Sequence, residues 1–158
     1  MLSILVALGV RCLLVGLFLP FSAMDKILNF KAAIHQSSQA VPNPVLATIL
    51  IAGGFGIEVI MSAAILMGMA DRLAAFVLAG YCIVTALLWK QFWKTRDFRL
   101  KGKSNGRDVF WDFLKNIALA GGFLLLTFGT DAVGVQRFVH DPLASSNPYA
   151  LPDANDGR

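Results

Sequence analysis

The sequence predicts an all-α, integral membrane four-helix bundle, and three observations carry that expectation. Hydrophobic residues make up 56% of the chain and charged residues 15%, against about 25% charged in an ordinary soluble domain. The charges are nearly absent from four long stretches and crowded between them. Those stretches, about 5–23, 44–69, 73–93 and 109–129, are close to or beyond the ~20 residues a helix needs to cross ~30 Å of hydrocarbon. Inside hydrocarbon the backbone must satisfy its own hydrogen bonds, so the runs are expected to be helices. A length of 158 residues fits one domain, with residues 1–131 as the transmembrane part and 132–158 as a polar tail outside the membrane.

The elements follow in order. The first run lacks a basic stretch ahead of its apolar core and carries Arg11 inside it. Phe21-Ser22-Ala23 is a poor cleavage site because Phe is bulky, so the segment is expected to be retained rather than cleaved as a signal peptide. Between Ile27 and Gln39, the residues Ile27, Phe30 and Ile34 recur at helical spacing. They predict a short amphipathic helix lying on the surface within the first loop. Pro42, Asn43 and Pro44 end that loop and start the second helix. Gly68, Ala70 and Asp71 close a very short turn. Gly102, Ser104, Asn105 and Gly106 break the third loop. After Asp131 the chain turns polar, with Pro142, Pro148 and Pro152 among Ser, Asn and Asp. That tail is expected to be extended or disordered unless a partner holds it.

The net charge is +4, and seven of the fourteen Lys and Arg lie between Lys90 and Arg107. A basic loop of this kind suits anionic lipid headgroups and topology rather than nucleic acid. The first and third loops together carry nine Lys and Arg, whereas the other side has only Arg72, Arg137 and Arg158. The positive-inside rule therefore places loops 24–43 and 94–108 in the cytoplasm and both termini in the periplasm or outside. Trp89, Trp93 and Trp111 fall near the same cytoplasmic boundary, as an interfacial aromatic belt does.

Three charged residues are the clear cases of charge inside the apolar runs: Arg11, Glu58 and Lys115. An ionised side chain at mid-bilayer costs at least ~2.5 kcal/mol on insertion scales, so each needs a partner or a purpose. Arg11 and Glu58 are expected to lie at depths an arginine can span and to pair inside the bundle. One reading is a pair that fixes helix register; the other is a pair that binds a polar headgroup or relays a proton. Asp112, Lys115 and Asn116 share one helix face at i, i+3, i+4 spacing. With Asp25 and Lys26 they are expected to form a polar layer on the cytoplasmic side. This layer is either a shallow site for an anionic or quinone-like headgroup, or a place where lysine snorkels to water. Gly53, Gly54 and Gly56, the pair Ala75 and Ala79, and the pair Ala118 and Gly122 supply small packing faces.

Other chemistry is not signalled. Cys12 and Cys82 each sit in an apolar run, without a CxxC, and read as packed thiols; spacing leaves open whether they meet. The histidines are His35, in a loop, and His140, in the tail. They make no intramembrane pair for haem and no HExxH. No metal site and no catalytic residue is assigned.

From Val10 to Leu126 the chain resembles the DoxX-like family of four-helix membrane proteins at three anchors. The first is Arg11, Gly16 and Ser22-Ala23-Met24-Asp25-Lys26. The second is Glu58 followed by Leu66-Met67-Gly68-Met69-Ala70-Asp71-Arg72-Leu73-Ala74-Ala75. The third is Phe113-Leu114-Lys115-Asn116-Ile117-Ala118-Leu119-Ala120-Gly121-Gly122. Ala23 stands where the family usually has Gly. Lys90 stands where many members have a His, so no metal or proton role carries over to that position. The resemblance implies a bacterial inner-membrane protein tied to redox systems; the namesake is the small membrane subunit of a thiosulfate:quinone oxidoreductase.

The expected function is therefore a small, quinone-linked subunit of a membrane redox assembly, structural or quinone-proximal. It is expected to bind no cofactor of its own, with a quinone or lipid as its possible ligand. Its expected partners are membrane lipid and other membrane subunits, not nucleic acid. The alternatives are a stand-alone membrane oxidoreductase acting on quinone or thiosulfate, and a small-molecule or lipid transporter.

Overall fold

A computed structural model describes residues 1–150, apart from the side chains of Gln36, Gln39 and Ala40. Every regular element among the described residues is a helix, none is a strand, and four spans are long and apolar enough to cross a membrane: Leu2–Leu28, Pro44–Met67, Asp71–Lys94 and Asn105–Phe128. The protein is a multi-pass membrane protein. Leu5, Leu13, Ile49 and Leu125 face outward from these spans, as hydrocarbon surroundings require.

The first span is not one straight helix. Helix α1 covers Leu2–Val15 and α2 covers Ala23–Leu28, with a wide π-type turn over Leu17–Ser22 between them. Pro20 has no N–H to donate and its ring disfavours helical dihedrals in the residue before it. Leu19 accordingly leaves the helix, at φ −117° and ψ 104°. The bend turns α2 toward the second long helix. Helix α3, Phe30–Ala40, forms at the surface where helical spacing predicts one, and it packs one face against the second and third long helices.

Helix α4, Pro44–Met67, begins at Asn43, whose Oδ1 accepts from Val45 N at 3.0 Å and Leu46 N at 3.2 Å. It ends at Gly68 in the left-handed region, φ 71°. There Met69 N donates to Ala64 O at 3.0 Å and Gly68 N donates to Ile65 O at 3.3 Å, the paired closure that glycine permits. Helix α5 is Asp71–Trp89 and α6 is Asn105–Phe128. The last begins four residues earlier than the sequence suggests. Ser104 and Asn105 look like loop breakers, but Ser104 Oγ accepts from Arg107 N at 3.1 Å. The Asp97 carboxylate accepts from Asn105 N at 2.7 Å and Gly106 N at 3.0 Å. They form a helix start, not an interruption.

Helices α5 and α6 make the most extensive pairing. The core is Val15, Phe18, Ile65, Ala74, Ala75, Leu78, Ala79, Cys82, Ala120 and Phe123. Four of these are alanines, which let backbones approach where no hydrophobic drive exists between helices in lipid. Of the three glycines near Glu58, only Gly54 is closely covered; Gly53 and Gly56 have open space around them. Ala118 points outward and does not serve as a packing face. Cys12 is exposed and Cys82 is buried, and both are free, so the two thiols do not meet.

The tail differs from expectation over its described part. Residues Ala132–His140 form helix α7, started by Asp131, whose carboxylate accepts from Gly134 N at 2.7 Å. Phe138 holds it to the bundle by packing on Phe76 and Phe128, each at 5.3 Å between ring centroids. Ser145, Ser146 and Tyr149 then bond back onto the bundle. Thus residues 132–150 are not an extended, unanchored segment; Pro152 and the remainder of the predicted tail lie outside the described residues. Below, the basic end is the one with the α3–α4 turn and the 90–104 loop, and the tail end is the one with Met1 and α7.

Candidate functional site

Two buried polar centres sit inside the bundle, and neither is the expected one. Arg11 and Glu58 do not pair. Arg11, 3% exposed, donates to Ile65 O at 2.8 Å, to the Asp71 carboxylate at 2.6 Å and to Ser146 Oγ at 2.8 Å. Asp71, 0% exposed, also accepts from Ser146 N at 2.9 Å. The physical reason for the mismatch is depth. Arg11 lies level with Ile65, seven residues or roughly 10 Å further along α4 than Glu58. Sequence reading gives Asp71 only a turn role, because an acidic residue opening a helix is ordinarily a solvated end group.

Glu58 finds other partners. Lys26 Nζ donates to both carboxylate oxygens at 2.7 Å, Ser22 Oγ to one at 3.0 Å and Tyr81 Oη to the other at 2.8 Å. Lys26 belongs to the expected cytoplasmic-side layer, but the bend at Pro20 carries it inward to Glu58. Gly54, one turn before Glu58, leaves room for the Tyr81 ring. A Cβ there would lie 3.1 Å from the Tyr81 hydroxyl. Burial demands that a carboxylate be paired and hydrogen-bonded, and this one has three donors.

The predicted polar layer divides accordingly. Asp25 accepts from Asn29 Nδ2 at 2.8 Å. Asp112 pairs with Lys90 at 3.2 Å and with Lys115 at 3.3 Å, and Asn116 donates to Asp112 O at 2.9 Å. Lys115 is 75% exposed, so it snorkels at the surface rather than facing a site. The two halves are linked through a cleft.

That cleft, about 280 Å³, opens beside the Lys26–Glu58 centre and runs toward the basic end. Ser22, Asp25 and Lys26 line it from α2 and the turn before it, and Ala33 and Ser37 from α3. Leu50 and Ile51 supply an apolar wall from α4; Tyr81, Thr85 and Trp89 descend along α5 to Lys90. From Tyr81 to Lys90 is nine residues, roughly 13 Å of helix. Ser37 is 1% exposed, and neither Ser37 Oγ nor Thr85 Oγ1 has a hydrogen-bond partner among the described residues. Buried hydroxyls are normally satisfied by protein, water or a ligand. Ser37 and Thr85 were not singled out in the sequence, because isolated hydroxyl residues in helices are common.

Chemically, the cleft offers hydroxyl donors, two ammonium groups already neutralised by carboxylates, an aromatic face and an aliphatic wall. Among the described residues no group of three His, Cys, Asp or Glu is placed to hold a metal ion. A neutral, hydrogen-bonding, apolar-bodied molecule fits this lining better than a strong anion.

Compared with known proteins, the chain matches the DoxX family model over residues 3–91. No curated protein and no solved structure matches it. The matched range contains Arg11, Lys26, Glu58, Asp71 and Tyr81, and so takes in the heart of both polar centres.

Proposed function

Since the chain belongs to the DoxX family, we propose that it is a small, quinone-linked subunit of a redox assembly in a bacterial inner membrane, with no cofactor of its own. The observation that supports this most is the cleft of about 280 Å³, where the Ser37 and Thr85 hydroxyls, without partners among the described residues, lie beside Trp89, Leu50 and Ile51. A quinone ring presents two carbonyl acceptors on an apolar body. Ser37 and Thr85 would donate to the carbonyls, and Trp89 would lie against the ring. The volume falls just below the roughly 300–1,000 Å³ usual for ligand sites, suited to a headgroup with its chain outside. The group itself would supply two-electron chemistry; this chain's residues bind it and exclude water.

On this reading electrons come from a neighbouring membrane subunit that carries the redox centre. The eight Lys and Arg of loops 24–43 and 94–108, with Lys90 just ahead of the second, support a cytoplasmic position for the basic end, and hence a periplasmic one for the tail end.

The test has two parts. Purified protein is titrated with a short-chain benzoquinone while tryptophan fluorescence is followed. The double variant S37A/T85V is expected to bind roughly tenfold more weakly, from two hydrogen bonds of about 0.5–1.5 kcal/mol each. Unchanged binding would remove the cleft from the proposal. Gentle extraction should also bring down a flavin-, haem- or iron–sulfur-bearing subunit; isolation of the chain alone under mild detergent would count against the assembly.

A further inference from the structure

The tail end holds a second pocket, about 420 Å³, between the start of α5 and helix α7. Arg72, Gln136, Arg137, His140, Asp141 and Ser145 line it. The other cations set into the bundle are paired: Arg11 with Asp71, Lys26 with Glu58, Lys90 with Asp112. Arg72 and Arg137 have no ion-pair partner among the described residues. Arg72 Nε is buried there without an acceptor among the described residues, an unfavourable state for a guanidinium N–H that an incoming oxygen would relieve. Two arginines against the single Asp141 leave the pocket cationic, and His140 adds a donor.

What surrounds the pocket is apolar. Phe138 fixes the orientation of α7 by packing on Phe76 and Phe128. With that face inward, Gln136, Arg137 and His140 share one flank. Val135, 44% exposed, and Val139, 74% exposed, occupy the adjoining one, and Leu143, 64% exposed, follows just beyond the helix. A soluble anion site has no need of exposed valines at its rim. A cationic pocket beside an outward apolar strip, at the end of a membrane bundle, has the shape of an amphiphile with an anionic head.

We propose that this pocket binds the phosphate of a membrane phospholipid in the tail-side leaflet, through Arg72, Arg137 and His140, with an acyl chain along Val135, Val139 and Leu143. The lipid would hold α7 flat against the membrane boundary. This does not depend on the quinone cleft, which lies toward the opposite end.

The full chain, extracted in mild detergent, is titrated with dioctanoyl phosphatidylglycerol and followed by native mass spectrometry. The wild type is expected to retain one lipid under conditions that strip loosely bound lipid. R137Q is expected to retain it roughly fivefold less well, the loss of one cation near an anionic head, and R137K to recover most of it. Arg137 is exposed, so the variant keeps its fold. K103Q, in the basic loop, is expected to leave retention unchanged. Equal retention by wild type, R137Q and R72Q would overturn the site. Displacement of the lipid by an equal concentration of inorganic phosphate would identify a soluble phosphate as the occupant and overturn the lipid assignment.

Discussion

Arg11 and Asp71 are a charged pair closed off from water, at 2.6 Å and with side-chain exposures of 4% and 0%. Removing one partner of such a pair strands the other, at a cost of about 3–5 kcal/mol. R11Q and D71N are each expected to lower stability in detergent by that order, and R11Q/D71N together by much less than the sum. R11Q and E58Q, whose sites share no partner, are expected to add within about 0.5 kcal/mol. Thermal unfolding of the wild type, the three single variants and the two doubles measures both couplings. A strong coupling between Arg11 and Glu58, with none between Arg11 and Asp71, would reverse the assignment. The sequence shows some of the buried charges, since Arg11 and Glu58 stand out in their runs, but it hides Asp71 in a turn and counts in Lys115, which lies at the surface. It does not show which charges meet. Depth counted along ideal helices puts Arg11 near Glu58, and only the bend at Pro20 and the packing level of α1 redirect Lys26 to Glu58 and Arg11 to Asp71.

Among the elements, the segment after α7 behaves as a strap. Ser145 Oγ donates to Gly68 O at 2.6 Å, and Ser146 bonds to both Arg11 and Asp71. The Tyr149 hydroxyl donates to Leu66 O. All of these acceptors lie at the α4–α5 turn, where orphan carbonyls of a helix end need donors. In S146A/Y149F three bonds are lost, those of Ser146 Oγ with Arg11 and with Asp71 and that of Tyr149 with Leu66 O, about 0.5–1 kcal/mol apiece, so local opening is expected to become roughly thirtyfold more frequent. Hydrogen exchange at residues 143–150 should rise by that factor while the cores of α5 and α6 stay protected. Exchange unchanged in the strap would mean these bonds do not hold it. Composition could not reveal this element. Its Pro, Ser and Asn content reads as a solvated tail, and its order comes from groups on α4 and α5 far away in the chain. The four long helices were legible for the opposite reason. Hydrocarbon leaves a backbone no alternative, so length and apolarity suffice. The start of α6 was misplaced only because Ser104 and Asn105 serve equally as breakers and as caps.

For the molecule as a whole, the two polar centres sit at different levels and face different ends, which makes orientation consequential. The Lys26–Glu58 centre adjoins the cleft running toward the basic end, whereas the Arg11–Asp71 pair lies beneath the strap at the tail end. If the basic end is cytoplasmic, the cleft draws its ligand and any protons from the inner side, and the strap faces outward. Lys101 and Gln136 are both exposed and lie at opposite ends. Single-cysteine variants Lys101→Cys and Gln136→Cys, made with Cys12→Ser and Cys82→Ala, separate the two orientations. A membrane-impermeant maleimide applied to intact spheroplasts is expected to label Gln136→Cys at once and Lys101→Cys only after permeabilisation. The reverse pattern would turn the molecule over, placing the cleft on the outer side and the strap within the cell. The fold and both ion pairs would survive that outcome unaltered, because they depend on contacts within the bundle, while the supply side of the proposed quinone site would not.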